Sequence, residues 1–403
     1  MRVLLVTHSY WPETTPPQRR WDAFVKAFRR AGCEVDVVAP SPDPAVTPAH
    51  AGASPAPRAF GAQEGPHGET VHRLPGLRLN ETRLGRLVRH SGTAALTVPR
   101  ALAAPRPDVV IVTVPSLPNI VAGWMVARLR RRPLVVEMRD AWPDLARESA
   151  AAPRRRVRAF EAVMSSLQRR ADLVVTVTAG FRDLLVSRGV RRAATIPNGV
   201  VPALLPRVPP RAAHGGPLRV LYLGNHGESQ GLETVVRAAA LARGAVQVRF
   251  VGTGTMKPSL RALSERCGAG IEFLDPVHGR GVDEQYAWAD TCVVSLRPDW
   301  PSFEWTVPSK SYELMSTGRH LTAVLRGEAA RLLNESGSAD VVAAEPEAIA
   351  RLWRELSAAP ERLTRNSRAR DWVTEHASLD NLGREYVRLV AELVEEKTHV
   401  HGR

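Results

Sequence analysis

Short apolar runs suited to buried strands alternate with amphipathic helical stretches along most of the chain, and that alternation leaves few folds open. The first cycle reads RVLLVTH, then Trp21, Phe24, Val25 and Phe28 at i, i+3, i+4, i+7 spacing, then CEVDVVAP. PDVVIVTVPS, NIVAGWMVARLRRR, PLVVEMRD, a helical stretch near 153–170, ADLVVTVT and ATIPNGV continue it. Strands apolar on both faces belong to a parallel sheet covered by helices on each side. A proline-rich stretch, VPALLPRVPPRAAHGGP, then breaks the series and reads as a linker. After it come LRVLYLGN, a helix with Leu232, Val235, Val236 and Ala239 on one face, VQVRFVGTG, a further helix, IEFLDPV, DEQYAWAD and TCVVSL. A chain of 403 residues is long enough for two cores. The expected class is therefore α/β: a doubly wound domain over 1–200, a linker over 201–217, a second doubly wound domain over 218–375, and a C-terminal helix in 376–403. A ligand is expected in a cleft between the carboxyl ends of the two sets of strands. Leu382, Tyr386, Leu389 and Leu393 form an apolar stripe on the last helix, which suits packing back on the N-terminal domain. Residues 43–70, rich in Pro, Gly and Ala and without period, read as a flexible loop.

Charge narrows the partners. The 55 Lys and Arg against 41 Asp and Glu leave +14, which suits nucleotide phosphates or lipid head groups; an arginine-rich composition with no binding face is the alternative. The arginines are scattered and no aromatic platform accompanies them, so no nucleic-acid partner is expected. Arg83, Arg86 and Arg89 alternate with Leu84, Leu87 and Val88 in TRLGRLVRHSG, which reads either as a peripheral contact with an anionic membrane or as a solvated helix face. Cys33, Cys267 and Cys292 stand far apart and suggest neither disulfides nor a metal cluster. Nowhere do about 18 apolar residues run together, and the N-terminal apolar run is too short for a secretory signal. A cytoplasmic protein is expected, with room for attachment at the inner membrane face.

Four stretches can carry chemistry. TVPSKSYELMSTG, residues 306–318, follows a strand and opens a short helix, with Pro308 expected in its first turn and Gly318 past its end. Such a helix start favours an anion; Lys310 adds a charge for a diphosphate, and Glu313 can accept from ribose hydroxyls. The plain alternative is a surface Lys–Glu pair at i, i+3. GNHGESQG, residues 224–231, is either a phosphate-approaching turn or a tight turn without ligand. EMRDAWPD crowds Glu137, Arg139, Asp140 and Asp144 at a strand end, where they either line a site or pair and cap locally. HSYWPETTPPQRR places Arg19 and Arg20 near the cleft mouth or on a solvated helix start.

Taken in order, RDAWPD, IPNGV, GNHGESQGLETV, FVGTGT, DTCVVSLRPD and VPSKSYELMSTGR resemble blocks of the retaining glycosyltransferases of family 4, with the GT-B fold of two facing Rossmann-like domains. The resemblance covers nearly the whole chain and is nearest to the branch containing the N-acetylfucosamine transferases of O-antigen assembly. It implies transfer of a sugar from a nucleoside diphosphate sugar (UDP or GDP type) to a small-molecule, thiol or lipid-linked acceptor, with no metal and no other cofactor. On the donor side it implies Gly224, Asn225, Gly227, Gln230, Gly252, Arg297, Ser309, Lys310, Tyr312 and Glu313. On the acceptor side it implies Arg19, Ser116, Asp140, Trp142 and Asp144, with Lys310, Asp140 and Arg139 catalytic. Asn198 falls in the turn of the IPNG block. The chain departs from the family at three places. Trp305 stands eight positions before Glu313, where the family has its first glutamate, with Glu304 one residue off; Gln230 replaces an expected lysine; TTPPQ replaces a glycine pair. Two other readings share this architecture: a sugar-nucleotide 2-epimerase, and a decayed transferase that binds nucleotide or membrane without turnover.

Overall fold

In the computed structural model, residues 1–42, 61–75, 95–114, 117–148, 154–201 and 215–401 are described, with a few single positions between these segments. Most of the linker and all but the last residue of TRLGRLVRHSG lie outside them. The chain divides into two units, one formed by Met1–Pro197 with Leu379–Arg403 and the other by Asn198–Ser378.

The first unit holds eight strands: β1 Arg2–Val6, β2 Glu34–Pro40, β3 Gly61–Glu64, β4 Thr70–Leu74, β5 Val109–Thr113, β6 Leu134–Met138, β7 Leu173–Thr176 and β8 Ala193–Thr195. Their spatial order is β3-β4-β2-β1-β5-β6-β7-β8, and all pairs are parallel except β3 with β4. Order reverses between β1 and β5, the place where doubly wound sheets open a crevice for ligands. Helices α1 Pro16–Arg30, α2 Leu117–Arg130, α3 Asp144–Glu148, α4 Arg154–Arg170 and α5 Ala179–Ser187 connect the strands. Thr15 caps α1, its side chain accepting from Gln18 N at 3.3 Å, and two prolines follow in the first turn. The expectation of a loop over 43–70 is corrected at its end. Glu64 pairs with Thr70 and Gly61 with Arg73 in an antiparallel hairpin, whose turn uses Gly68 at φ +79°. Two strands of four and five residues are too short to display a period in sequence.

The second unit holds β9 Leu218–Leu223, β10 Val246–Val251, β11 Glu272–Leu274, β12 Thr291–Ser295, β13 His320–Val324 and β14 Ala339–Val341. The order β11-β10-β9-β12-β13-β14 is wholly parallel and matches the arrangement of dinucleotide-binding sheets, reversing between β9 and β12. Its helices are α6 Leu232–Leu241, α7 Lys257–Cys267, α8 Arg280–Trp288, α9 Ser309–Ser316, α10 Gly327–Glu335, α11 Pro346–Ala358 and α12 Ala369–His376. β13 is buried yet carries His320 and Thr322, so its sequence lacks the unbroken apolar run of a buried strand. Those polar groups satisfy one another and their neighbours: Thr291 Oγ1 meets His320 Nδ1 at 2.9 Å and Thr322 Oγ1 at 3.0 Å, and Trp353 Nε1 donates to Thr322 Oγ1 at 3.2 Å.

The chain then returns to the first unit as α13 Leu379–His401, which lies along α1. Tyr386 enters an aromatic cluster, with ring centroids 5.5 Å from Trp21, 5.0 Å from Phe24 and 6.1 Å from Phe28. Gly383 permits the close approach, since a Cβ there would stand 2.9 Å from that of Ala27. No helix among the described residues is long and apolar enough to cross a membrane.

Candidate functional site

The sequence candidates collect at the carboxyl ends of the strands, as a parallel sheet requires of its βα turns. In the second unit two of them converge beside the reversal of strand order. The turn after β9 runs Gly224–Gly227 into a single 3-10 turn, Glu228–Gln230, and then Gly231. It is clasped to the end of β12: Arg297 N donates to Ser229 O at 3.0 Å and Ser295 Oγ to Gln230 O at 2.7 Å. Gly231, at φ +57°, allows this, because a Cβ would stand 2.9 Å from Arg297 Cα. Three of the turn's N–H groups are already bound: Gly224 N to Val251 O at 3.0 Å, His226 N to Thr253 O at 2.8 Å, and Gly227 N to Gln230 Oε1 at 3.1 Å. Gln230, expected toward the donor, thus shapes the turn. Gly252 does likewise: at φ +139°, its absent Cβ is what leaves room for Gly224 O, which it would meet at 2.0 Å. Asn225 is exposed at the tip.

The start of α9 is more open. Pro308, expected inside the first turn, is the N-cap, so no side chain caps this helix. Its first backbone donors, in Ser309 and Lys310, are left to solvent or a ligand. Lys310 Nζ sits 2.8 Å from Glu313 Oε1, and the same oxygen accepts from Tyr286 Oη at 2.7 Å. Tyr286 comes from α8 and is buried; burial first, then the Glu313 charge, pushes its phenol well above the ordinary tyrosine range, so it remains a donor. The i, i+3 pair and the proposed site residues are therefore one cluster, both side chains about one third exposed at 28% and 31%. No signal marked Tyr286 in sequence, since it lies 27 residues before its partner. Tyr312 is corrected: it is 2% exposed and belongs to the core cluster with Val307, Met315 and Leu321. Arg297, at the end of β12, forks onto Asp299 with Nε–Oδ1 of 2.6 Å and Nη2–Oδ2 of 2.7 Å, and reaches Glu228 at 3.1 Å. Both carboxylates are about half exposed, so an incoming phosphate can exchange with them. Glu304, the substitute for the family's first glutamate, pairs with Arg326 at 3.0 Å.

His226, unremarked in sequence, is fully buried in the turn after β9. Its ring lies 5.6 Å from Tyr222, 5.8 Å from Phe250 and 6.4 Å from Phe273, and neither ring nitrogen has a hydrogen-bond partner. Burial, aided by the Lys257 charge, pushes it down to about 4, so it is neutral at pH 7.

In the first unit, Asp140 lies two residues past β6 and is exposed. The surrounding protein still raises its carboxyl above the usual range, while Arg139 pulls the other way. Arg139 is half-buried, its guanidinium weakened mainly by desolvation, with Nε buried and unpartnered. Trp142 stands next to Phe160 at 5.7 Å, and its indole nitrogen is likewise buried without a partner. Asp144 is corrected: Arg188 holds it bidentately at 2.6 and 2.8 Å and Arg147 also pairs with it, so its carboxylate ties α3 to α5. Glu137 is equally structural, taking Arg20 Nε at 2.9 Å and Trp21 Nε1 at 2.7 Å in the core. That also settles Arg20, whose neighbour Arg19 is exposed in the first turn of α1. Asn198 is buried in the second unit; Ser116 lies outside the described residues.

Residues 17–199 match the glycosyl transferase 4-like domain family. No curated protein sequence matches the chain. Among solved structures, sucrose-phosphate synthase from Thermosynechococcus elongatus superposes with a TM-score of 0.75 at 16% identity, covering 98% of this chain and 99% of that one. Anabaena HepE in complex with UDP and glucose gives 0.71 at 15%, covering 97% and 99%. The E. coli trehalose-6-phosphate protein bound with UDP-2-fluoro glucose gives 0.67 at 12%, covering 98% and 99%. At these identities the likeness is one of fold, and the fold is GT-B, with two Rossmann-like domains.

Proposed function

We propose that the chain is a retaining glycosyltransferase that moves a sugar from a nucleoside diphosphate sugar to a small-molecule, thiol or lipid-linked acceptor. The observation that carries this is the uncapped start of α9 with Lys310, Glu313 and Tyr286 gathered beside it. Two open backbone donors and a lysine suit a diphosphate, and a carboxylate held by Tyr286 suits ribose hydroxyls. The glycosyl transferase 4-like match over 17–199 supports the class, and the UDP complexes of HepE make uridine the first base to test.

As the sugar leaves, negative charge grows on the diphosphate. Lys310 and the helix start stabilise that charge more than the ground state, and this lowers the barrier. Retention follows if the departing phosphate takes the acceptor's proton on the same face, a route that needs no protein nucleophile. Arg139 and Asp140 are assigned to the acceptor. Arg297 serves the diphosphate after exchanging its carboxylates. No step is assigned to a metal.

The test is thermal stability of the whole chain against uridine, guanosine and thymidine diphosphates and their sugars, with and without magnesium. One base is expected to raise the melting temperature, and Lys310→Ala to abolish the shift without unfolding the protein. No shift with any nucleotide would favour the decayed-transferase reading. Conversion of the donor with no acceptor present would favour the 2-epimerase.

A further inference from the structure

The amino ends of the first sheet carry a second concentration of charge that the proposed reaction does not use. Below β5, β6 and β7 lies a hollow of about 810 Å³ lined by Arg106, Arg128, Arg131, Arg132, Arg170 and Lys397. A second hollow of about 750 Å³ shares Trp124, Arg128, Arg170 and Lys397 with it and adds Arg169, Arg191 and Arg192. The two are one cleft. Trp124 forms part of its wall, with Arg170 placed 5.8 Å over the indole ring.

Basic residues in the last turn of a helix have an ordinary explanation, since they offset its dipole. That explanation falls short here. The ends of α2, α4, α5 and α13 supply about half a negative charge each, and among the described residues the cleft adds only Asp108, Asp172 and Glu396. Nine cations among the described residues face them, so roughly four positive charges of this set stay uncompensated. The carboxylates already have partners. Asp108 accepts from Arg2 N at 2.8 Å, Asp172 accepts from Leu134 N at 2.9 Å and pairs with Lys397, and Glu396 pairs with Arg192. Among the described residues, Arg128, Arg131, Arg169, Arg170 and Arg191 have no acidic partner. Arg131 adds an independent sign: at φ +53° it is the one described residue other than glycine in the left-handed region. An exposed arginine stands where glycine would be cheaper by about 1 kcal/mol or more.

We propose that this cleft binds a ligand carrying several phosphate groups. Arginine forks suit phosphate oxygens, and the volume suits a small molecule or one head group. Strands of four and five residues separate it from the carboxyl ends, about 13 to 17 Å away. It therefore neither rests on nor competes with the nucleotide reading.

Inorganic tripolyphosphate titrated calorimetrically into the full chain at low salt tests this. Saturable binding is expected, weakened at least tenfold in an Arg128→Ala/Arg170→Ala variant and unchanged in Arg237→Ala on the second unit. Arg131→Gly separates binding from folding, because it should raise the melting temperature while weakening the ligand. A parallel arm uses cardiolipin vesicles, whose head group carries two phosphates: sedimentation lost in the same variants, without tripolyphosphate binding, would make a lipid head group the source. Absence of binding in both arms would overturn the proposal, as would binding that the variants leave intact.

Discussion

At the scale of single residues, the decisive feature is that Glu313 serves two partners through one oxygen. Glu313→Ala would leave the buried Tyr286 hydroxyl without its acceptor, which costs about 1 to 3 kcal/mol, so its urea midpoint is expected to fall. Glu313→Gln keeps an acceptor for Tyr286 and loses the charge that Lys310 faces. It is expected to hold most of the stability yet bind nucleotide more weakly, and equal losses in both properties would break the link between this carboxylate and the ligand. His226 supplies a pH test. Its folded value near 4 lies below the ordinary 6.5, so between these the unfolded chain binds the extra proton. Its contribution is whole above pH 6.5 and is lost as pH falls toward 4. Denaturant midpoints across that window are expected to decline less in His226→Phe than in the parent chain. The candidate lysine and glutamate were legible in sequence because they are neighbours on one helix. Tyr286, and the loss of Asp144 to Arg188 across 44 residues, were not, because separation along the chain carries no trace of proximity.

At the scale of elements, the site depends on how closely the turns after β9 and β10 approach. Gly252→Ala would force a Cβ within 2.0 Å of Gly224 O at a φ of +139°. A cost of about 3 kcal/mol or more is expected from strain and clash together, read as a lower melting temperature of the second unit. Gly224→Ala is the contrast. Its Cβ would meet only the Tyr222 phenol, Oη at 3.5 Å and Cζ at 3.8 Å, so folding is expected to be near normal. Nucleotide affinity, measured by titration, should fall if backbone at Gly224 approaches the ligand. Sequence showed that a glycine-rich turn leads from strand to helix here. It could not show that Gln230 and the neighbouring backbone already satisfy much of the turn, which shifts the anion site toward α9. Element boundaries were clearest where a period persisted, as in α1 and β9, and were lost in the short hairpin β3–β4 and in β13, whose polar residues find buried partners.

At the scale of the whole molecule, two separately cored units share one chain, and the last helix belongs to the first of them. Tyr386→Ala would remove an aromatic ring from the Trp21, Phe24 and Phe28 cluster, at about 3 to 5 kcal/mol for a buried aromatic. Scanning calorimetry is expected to resolve two transitions, with only that of the first unit lowered in the variant. A uniform shift of both would mean that the units unfold as one. The alternation of apolar runs determined the α/β class, the pair of doubly wound sheets and the strand ends at which chemistry belongs. These follow from local periodicity and the handed connections of parallel strands, which a sequence displays directly. Tertiary structure alone decided which charges are spent on the scaffold, as Asp144 and Glu137 are, and which stand beside an open helix start, as Lys310 does. It alone gathered arginines from α2, α4 and the loops before β6 and β8 into one cleft. The reason is physical: burial and pairing depend on which distant elements pack together, and no local period encodes that.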